Sequence, residues 1–106
     1  MEPITSVDAY KQAIESDKPT VIKYYADWCP DCKNLDRFIG DIMAEHQDKQ
    51  WYSINAEDLP DVAEENEVRG IPSLLVYKNG KKIAHLHSKF AKTPDQVREY
   101  LNSLQD

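Results

Sequence analysis

The stretch Thr20-Val21-Ile22-Lys23-Tyr24-Tyr25-Ala26-Asp27-Trp28-Cys29-Pro30-Asp31-Cys32-Lys33 decides how the chain folds. Thr20 to Ala26 is short, rich in β-branched and aromatic residues, and preceded by the turn-forming Asp17-Lys18-Pro19, which predicts an interior strand. From Cys29 to about Gln47 the apolar residues Leu35, Phe38, Ile39, Ile42 and Met43 keep a period of about 3.6 residues, the mark of an amphipathic helix, weakened locally by Gly40. The strand therefore delivers the chain into a helix whose first turn carries both cysteines.

That placement has a chemical consequence. A thiol attacks only as thiolate, and a helix N-terminus stabilises thiolate through unsatisfied backbone NH groups and the positive end of the macrodipole. The two-residue spacer puts Cys32 one turn along from Cys29, close enough to attack a mixed disulfide formed there. Cys29 is the expected nucleophile and Cys32 the expected resolving thiol. Pro30 suits the first turn, where its missing NH has no helical partner. Asp31 suits the dipole but sets a negative charge beside Cys29, which opposes thiolate formation.

Working outward, Thr5 or Ser6 can cap a first helix to about Glu15, with Val7, Tyr10 and Ile14 along one face. Gln50 to Asn55 reads as a second strand, and Leu59 to Glu65 as a short helix with proline near its start. Strand, helix and strand imply a parallel crossover. Ser73 to Lys78 and Lys81 to His87 flank Asn79-Gly80, a strong hairpin signal that makes them antiparallel neighbours. Thr93-Pro94-Asp95-Gln96 supplies a capping box for a last helix bearing Val97, Tyr100, Leu101 and Leu104 on one face. The expected fold is α/β: a mixed four-stranded sheet, with room for a short fifth strand at the N-terminus, flanked by helices on both faces. No repeat, low-complexity tract or linker interrupts it, so residues 1–106 are read as one domain.

Composition narrows the function. Of the 106 residues, 41% are hydrophobic and 30% charged, as in a folded globular chain. No apolar run reaches membrane-spanning length. The net charge of -6 repels phosphate backbones and anionic lipid, so neither nucleic acid nor membrane is an expected partner. Met1 to Ser6 lacks the basic start and apolar stretch of a secretory signal, and the cytoplasm is the expected compartment. Two closely spaced cysteines do not make a disulfide framework; in a reducing compartment they read as a redox pair or as half of a zinc site. Closed zinc sites need four ligands, for which His46, His85 and His87 are candidates. His85 and His87 share a strand face but lie outside the usual ligand spacing, which favours the redox pair with no metal. The acidic pairs Glu57-Asp58 and Glu64-Glu65 read as a solvated face.

Three segments together resemble the thioredoxin family. Tyr25-Ala26-Asp27-Trp28-Cys29-Pro30-Asp31-Cys32-Lys33 is similar to its active-site segment, Gly70-Ile71-Pro72-Ser73 to its cis-proline loop, and Tyr77-Lys78-Asn79-Gly80-Lys81 to its final hairpin. The resemblance covers nearly all of the chain from Thr20 onward and implies the thioredoxin fold. It implies that Pro72 is cis and faces the sulfurs, that the Ile71 backbone pairs with an extended substrate segment, and that Trp28 shields the pair on one side. It further implies a protein-disulfide reductase acting as a monomer, with no bound cofactor, recycled by a flavin-dependent thioredoxin reductase that draws on NADPH. A redox-regulated binding module with little turnover is the alternative.

The chain also departs from the family pattern. Pro30-Asp31 replaces the usual Gly-Pro spacer and resembles a thioredoxin-like subgroup of Gram-positive bacteria. Lys23 stands where the family buries an aspartate, and Ser53 where a lysine accompanies it. Arg37 replaces a helix-kinking proline, and Ser88 a glycine that leaves room for substrate. Lys23 is thus read as a residue modulating the thiols, if it points beneath the cysteines and not outward from a sheet edge.

Overall fold

The largely β-branched and aromatic strand Thr20–Tyr25, β2, lies in the middle of the sheet, with five of its six residues buried, Lys23 among them. The computed structural model describes residues 1–104. The elements before and around β2 are β1 (Glu2–Pro3), α1 (Val7–Ile14), α2 (Pro30–Glu45), β3 (Gln50–Asn55) and α3 (Pro60–Glu65). The chain continues through β4 (Ser73–Lys78), β5 (Lys81–Leu86), a 3-10 turn at Ser88–Phe90, and α4 (Pro94–Asn102). The sheet runs β1-β3-β2-β4-β5. β2 pairs parallel with β3 through the α2 crossover and antiparallel with β4, while β4 and β5 form the hairpin.

The short fifth strand is present: β1 pairs parallel with β3 at the edge, Glu2 opposite Tyr52 and Pro3 opposite Ser53. Element ends differ slightly from expectation. Ser6, not Thr5, caps α1 by accepting from the Ala9 amide. Cys29 lies just before α2 as its cap, so the helix proper starts at Pro30. It ends at Glu45, where the Trp51 indole NH donates to the His46 carbonyl and closes the helix C-terminus. The 3-10 turn, three residues long, leaves no periodic signature in the sequence.

The two-residue alternation of β2 sorts the core into two layers. Ile22 and Tyr24 join Tyr10, Ile14, Ile54, Val62, Leu75 and Tyr77 under α1 and α3. Val21 packs with Leu35, Ile39, Ile42, Leu74, Val76, Val97 and Leu101 under α2 and α4. Lys23, two residues on from Val21, therefore lies on the α2 side of the central strand. The edge-strand reading of Lys23 does not hold, because β2 has a strand on each side.

Two features tie the layers together. Asn79 and Gly80 take positive φ values of 54° and 80°, the conformation of a tight hairpin turn. Their amides donate to the carbonyls of Ser16 (2.9 Å) and Ile14 (2.8 Å), so the hairpin caps the end of α1. A buried polar chain links four elements: the Tyr24 and Tyr77 hydroxyls meet at 2.7 Å, Tyr77 donates to Asn66 Oδ1 at 2.9 Å, and Asn66 Nδ2 donates to the Tyr10 hydroxyl at 2.9 Å. Buried and fully partnered, these groups specify how α1, β2, β4 and the end of α3 meet. Tyr77→Phe removes the hydroxyl shared by two of these bonds and leaves Asn66 Oδ1 short of a donor. It is expected to cost about 1–3 kcal/mol, read as a lower urea midpoint at unchanged slope; an unshifted midpoint would contradict the assigned role of the network.

Candidate active site

The strand-to-helix junction buries both cysteines, leaving Cys29 3% and Cys32 2% exposed. They stand as a disulfide, with Cα atoms 5.3 Å apart. As the cap of α2, Cys29 has its Sγ where a capping side chain belongs, accepting from the Cys32 amide at 3.1 Å. In the reduced state the same amide and the helix dipole favour negative charge on that sulfur. Pro30 occupies the first helical position, as its missing NH predicts.

The remaining walls come from elsewhere in the chain. Ala26 is buried with the two cysteines, and Tyr25 and Ile71 pack against the group. The Ile71-Pro72 bond is cis, and the Ile71 carbonyl oxygen lies 3.7 Å from Cys29 Sγ. Ser73 donates to the Gly70 carbonyl at 2.6 Å and so braces this loop. Ser88, from the 3-10 turn, closes over Gly70: a Cβ built there would sit 2.5 Å from the serine Oγ, so only glycine fits without a shift. Trp28 is 64% exposed beside the pair, and its indole NH donates to Glu57 at 2.9 Å.

Lys23 lies under α2. Its side chain is 9% exposed and pairs with Asp36, itself 52% exposed, while the ammonium sits 4.8 Å from the Tyr25 ring centroid. Asp36 is four residues beyond Cys32 and on the same helical face. Ser53 stands beside Lys23 in the parallel register, with Leu74 on the other side, so the two departures from the family pattern are neighbours across the sheet. Arg37 does not interrupt α2, which runs unbroken from Pro30 to Glu45. Burial first, then the carboxylates of Asp27, Asp58 and Asp36, pushes the Tyr25 phenol up, leaving it neutral near pH 7.

Asp31 is not isolated at the surface: Lys92 Nζ lies 2.7 Å from its carboxylate. Sequence reasoning missed Lys92, Asp36 and Glu57 as partners of site residues. Asp36 was the recoverable one, from its four-residue offset to Cys32. Lys92 and Glu57 lie far from their partners in the chain, and no pattern in their surroundings marks them.

The histidines are placed differently. His46 caps the far end of α2. His85 and His87 stack on each other with ring centroids 4.0 Å apart. Burial, then His87 and Lys82, pushes His85 down to about 4. Lys82 Nζ is 3.3 Å from His85 Nδ1, a cation where a metal would need none. Among the described residues no group of three or more histidine, cysteine or carboxylate side chains converges as a metal site would require.

The chain matches the Thioredoxin family model over residues 3–103. It is 37% identical over 75 residues to Thioredoxin-1 of Saccharomyces cerevisiae, covering 71% of this chain and 73% of that protein. It is 34% identical over 80 residues to a thioredoxin of Rickettsia typhi, covering 74% of this chain and 76% of the relative. A solved Malassezia sympodialis thioredoxin superposes with a TM-score of 0.86 at 25% identity, over 96% of this chain and 88% of that one.

The Lys23–Asp36 pair gives an asymmetric expectation. Asp36→Ala strands a buried ammonium and is expected to cost about 1–3 kcal/mol, less than a fully buried pair because Asp36 is half in water. Lys23→Met replaces the charge with an apolar chain of similar length and should change stability by less than about 1 kcal/mol. Urea denaturation of the two variants compares them, and a larger loss in Lys23→Met reverses the reading.

Proposed function

The chain belongs to the thioredoxin family, has its fold and is a thiol-disulfide oxidoreductase, and we propose that it reduces disulfides of other proteins with Cys29 attacking and Cys32 resolving. The observation that carries this division of labour is the Cys32 amide donating to Cys29 Sγ at the start of α2. That bond stabilises charge on Cys29 and none on Cys32.

The reaction balances in two exchanges. The Cys29 thiolate attacks one sulfur of the substrate disulfide, forming a mixed disulfide and expelling the other sulfur as thiolate. Cys32, having given up its proton, attacks Cys29 Sγ and expels the second substrate thiolate. Two electrons pass to the substrate, and the chain is left with the Cys29–Cys32 disulfide. Ile71, with its carbonyl near Cys29 Sγ and an exposed Trp28 nearby, supports an extended substrate segment lying along the cis-Pro72 loop. Pro30 and Asp31 form the edge that this segment crosses.

Family members need no bound cofactor. We assign regeneration to a thioredoxin reductase drawing on NADPH, and the working state to a monomer in the cytoplasm. Lys23 adds a tuning term: its ammonium is shielded from water while its partner Asp36 is half exposed, so the residual field beneath the sulfurs is positive and favours the reduced form.

Insulin reduction with dithiothreitol tests the reading. Sustained turnover is expected, Cys29→Ser should abolish it, and Cys32→Ser should trap mixed disulfides with substrate; wild-type protein without turnover contradicts it. Equilibration with a glutathione buffer tests the tuning by Lys23. The potential should be less negative than the roughly -270 mV of thioredoxin itself and become more negative in Lys23→Met; a wild-type value clearly below that benchmark removes Lys23 from the account.

A further inference from the structure

Asp31, the residue immediately before Cys32, is tied to a cation from the opposite end of the chain. Its Oδ2 lies 2.7 Å from Lys92 Nζ, sixty-one residues on. With side chains 51% and 48% exposed, this pair adds little to folding stability. Its construction nevertheless holds it in place. Lys92 follows Ala91, which is buried in the α2–α4 core layer. Its backbone amide and that of Thr93 donate to Gln96 Oε1 at 2.9 and 3.1 Å, so the α4 capping box fixes the base of the lysine. Asp31 is equally fixed, in the first turn of α2.

The surroundings of Cys29 make this pair consequential. Ala26, Ile71 and the neutral Tyr25 phenol pack against the sulfurs and form their apolar surroundings. Below, on the sheet side, Lys23 is paired with Asp36. Around the rim, Asp27 and Lys33 flank the cysteine segment in sequence, and the Glu57 carboxylate is taken up by the Trp28 indole. Arg69 and Lys89 adjoin Gly70 and Ser88, where the cis-Pro72 loop meets the 3-10 turn. Among the described residues, the Lys92–Asp31 ion pair is the one that ends on the two-residue spacer between the cysteines.

We propose that Lys92 is a positioning residue for the exchange reaction, one that cancels the charge of Asp31 and thereby sets how readily Cys29 ionises. This rests on Cys29 being the attacking thiol. An unneutralised Asp31 carboxylate disfavours a second negative charge nearby; the ammonium of Lys92 offsets it and restores the advantage conferred by the helix N-terminus. Arginine at position 92 preserves the effect, glutamine loses it, and glutamate inverts it. Because the pair is exposed, added salt weakens it.

The test is a thiolate absorbance titration of reduced protein, with the pH profile of alkylation at Cys29 as a second readout. Lys92→Gln is expected to lower the ionisation constant of Cys29 about two- to five-fold, the size of effect an exposed charge pair exerts. Lys92→Arg should titrate like wild type. In the Asp31→Asn background Lys92→Gln should have almost no effect, because there is no carboxylate left to offset. An unmoved titration in Lys92→Gln overturns the proposal, and so does an equal shift with Asp31→Asn present, which would make Lys92 a general field source. Wild-type insulin reduction run alongside keeps the two readings apart. Turnover with an unmoved titration removes only Lys92, whereas absent turnover removes the exchange reaction while the titration still reports on the pair.

Discussion

A sulfur caps helix α2. Cys29 Sγ takes the place of the usual oxygen and receives the Cys32 amide, and the rest of the site follows from that bond. To accept it, Cys29 must be extended and the helix must begin at once: a turn after β2, in which the Cys29 amide donates to the Ala26 carbonyl at 3.3 Å, delivers the cap, and Pro30 starts the helix. The same geometry buries both sulfurs and brings them within disulfide distance. Stabilising the ionised thiol and closing the disulfide are consequences of one local arrangement.

The central strand supplies the second constraint. Flanked by β3 and β4 and covered on both faces, β2 has no exposed side on which to place a polar residue. Lys23 is there all the same, and it is accommodated because the alternation of the strand aims it at α2, where Asp36 meets it one turn beyond Cys32. A family that commonly buries a carboxylate at this position here buries an ammonium, and the partner has moved from the sheet to the helix: Ser53, beside it on β3, carries no charge.

Charge at the site is therefore arranged in pairs that converge from different elements. Lys23 on β2 pairs with Asp36, one turn along α2 from Cys32, and Lys92 pairs with Asp31 in the first turn of α2, while Trp28 holds Glu57. For a chain of net charge -6 this pairing offsets part of the acidic background locally. The pairs are cheap in stability because most of their members remain partly in water.

Local features were legible from residues alone. Strand alternation, the period of α2, the Asn79-Gly80 turn and the Thr93–Gln96 capping box each depend on neighbours in the chain, and each is found where expected, within a residue or two. The cysteine chemistry was legible for the same reason, since spacer and helix start are contiguous. What only the tertiary structure decided is which distant groups meet: Lys92 with Asp31, Glu57 with Trp28, Ile71 with Cys29, and the direction of Lys23. Such contacts are set by strand order and helix packing, and single charged residues on surface loops leave no periodic trace from which their partners could be read.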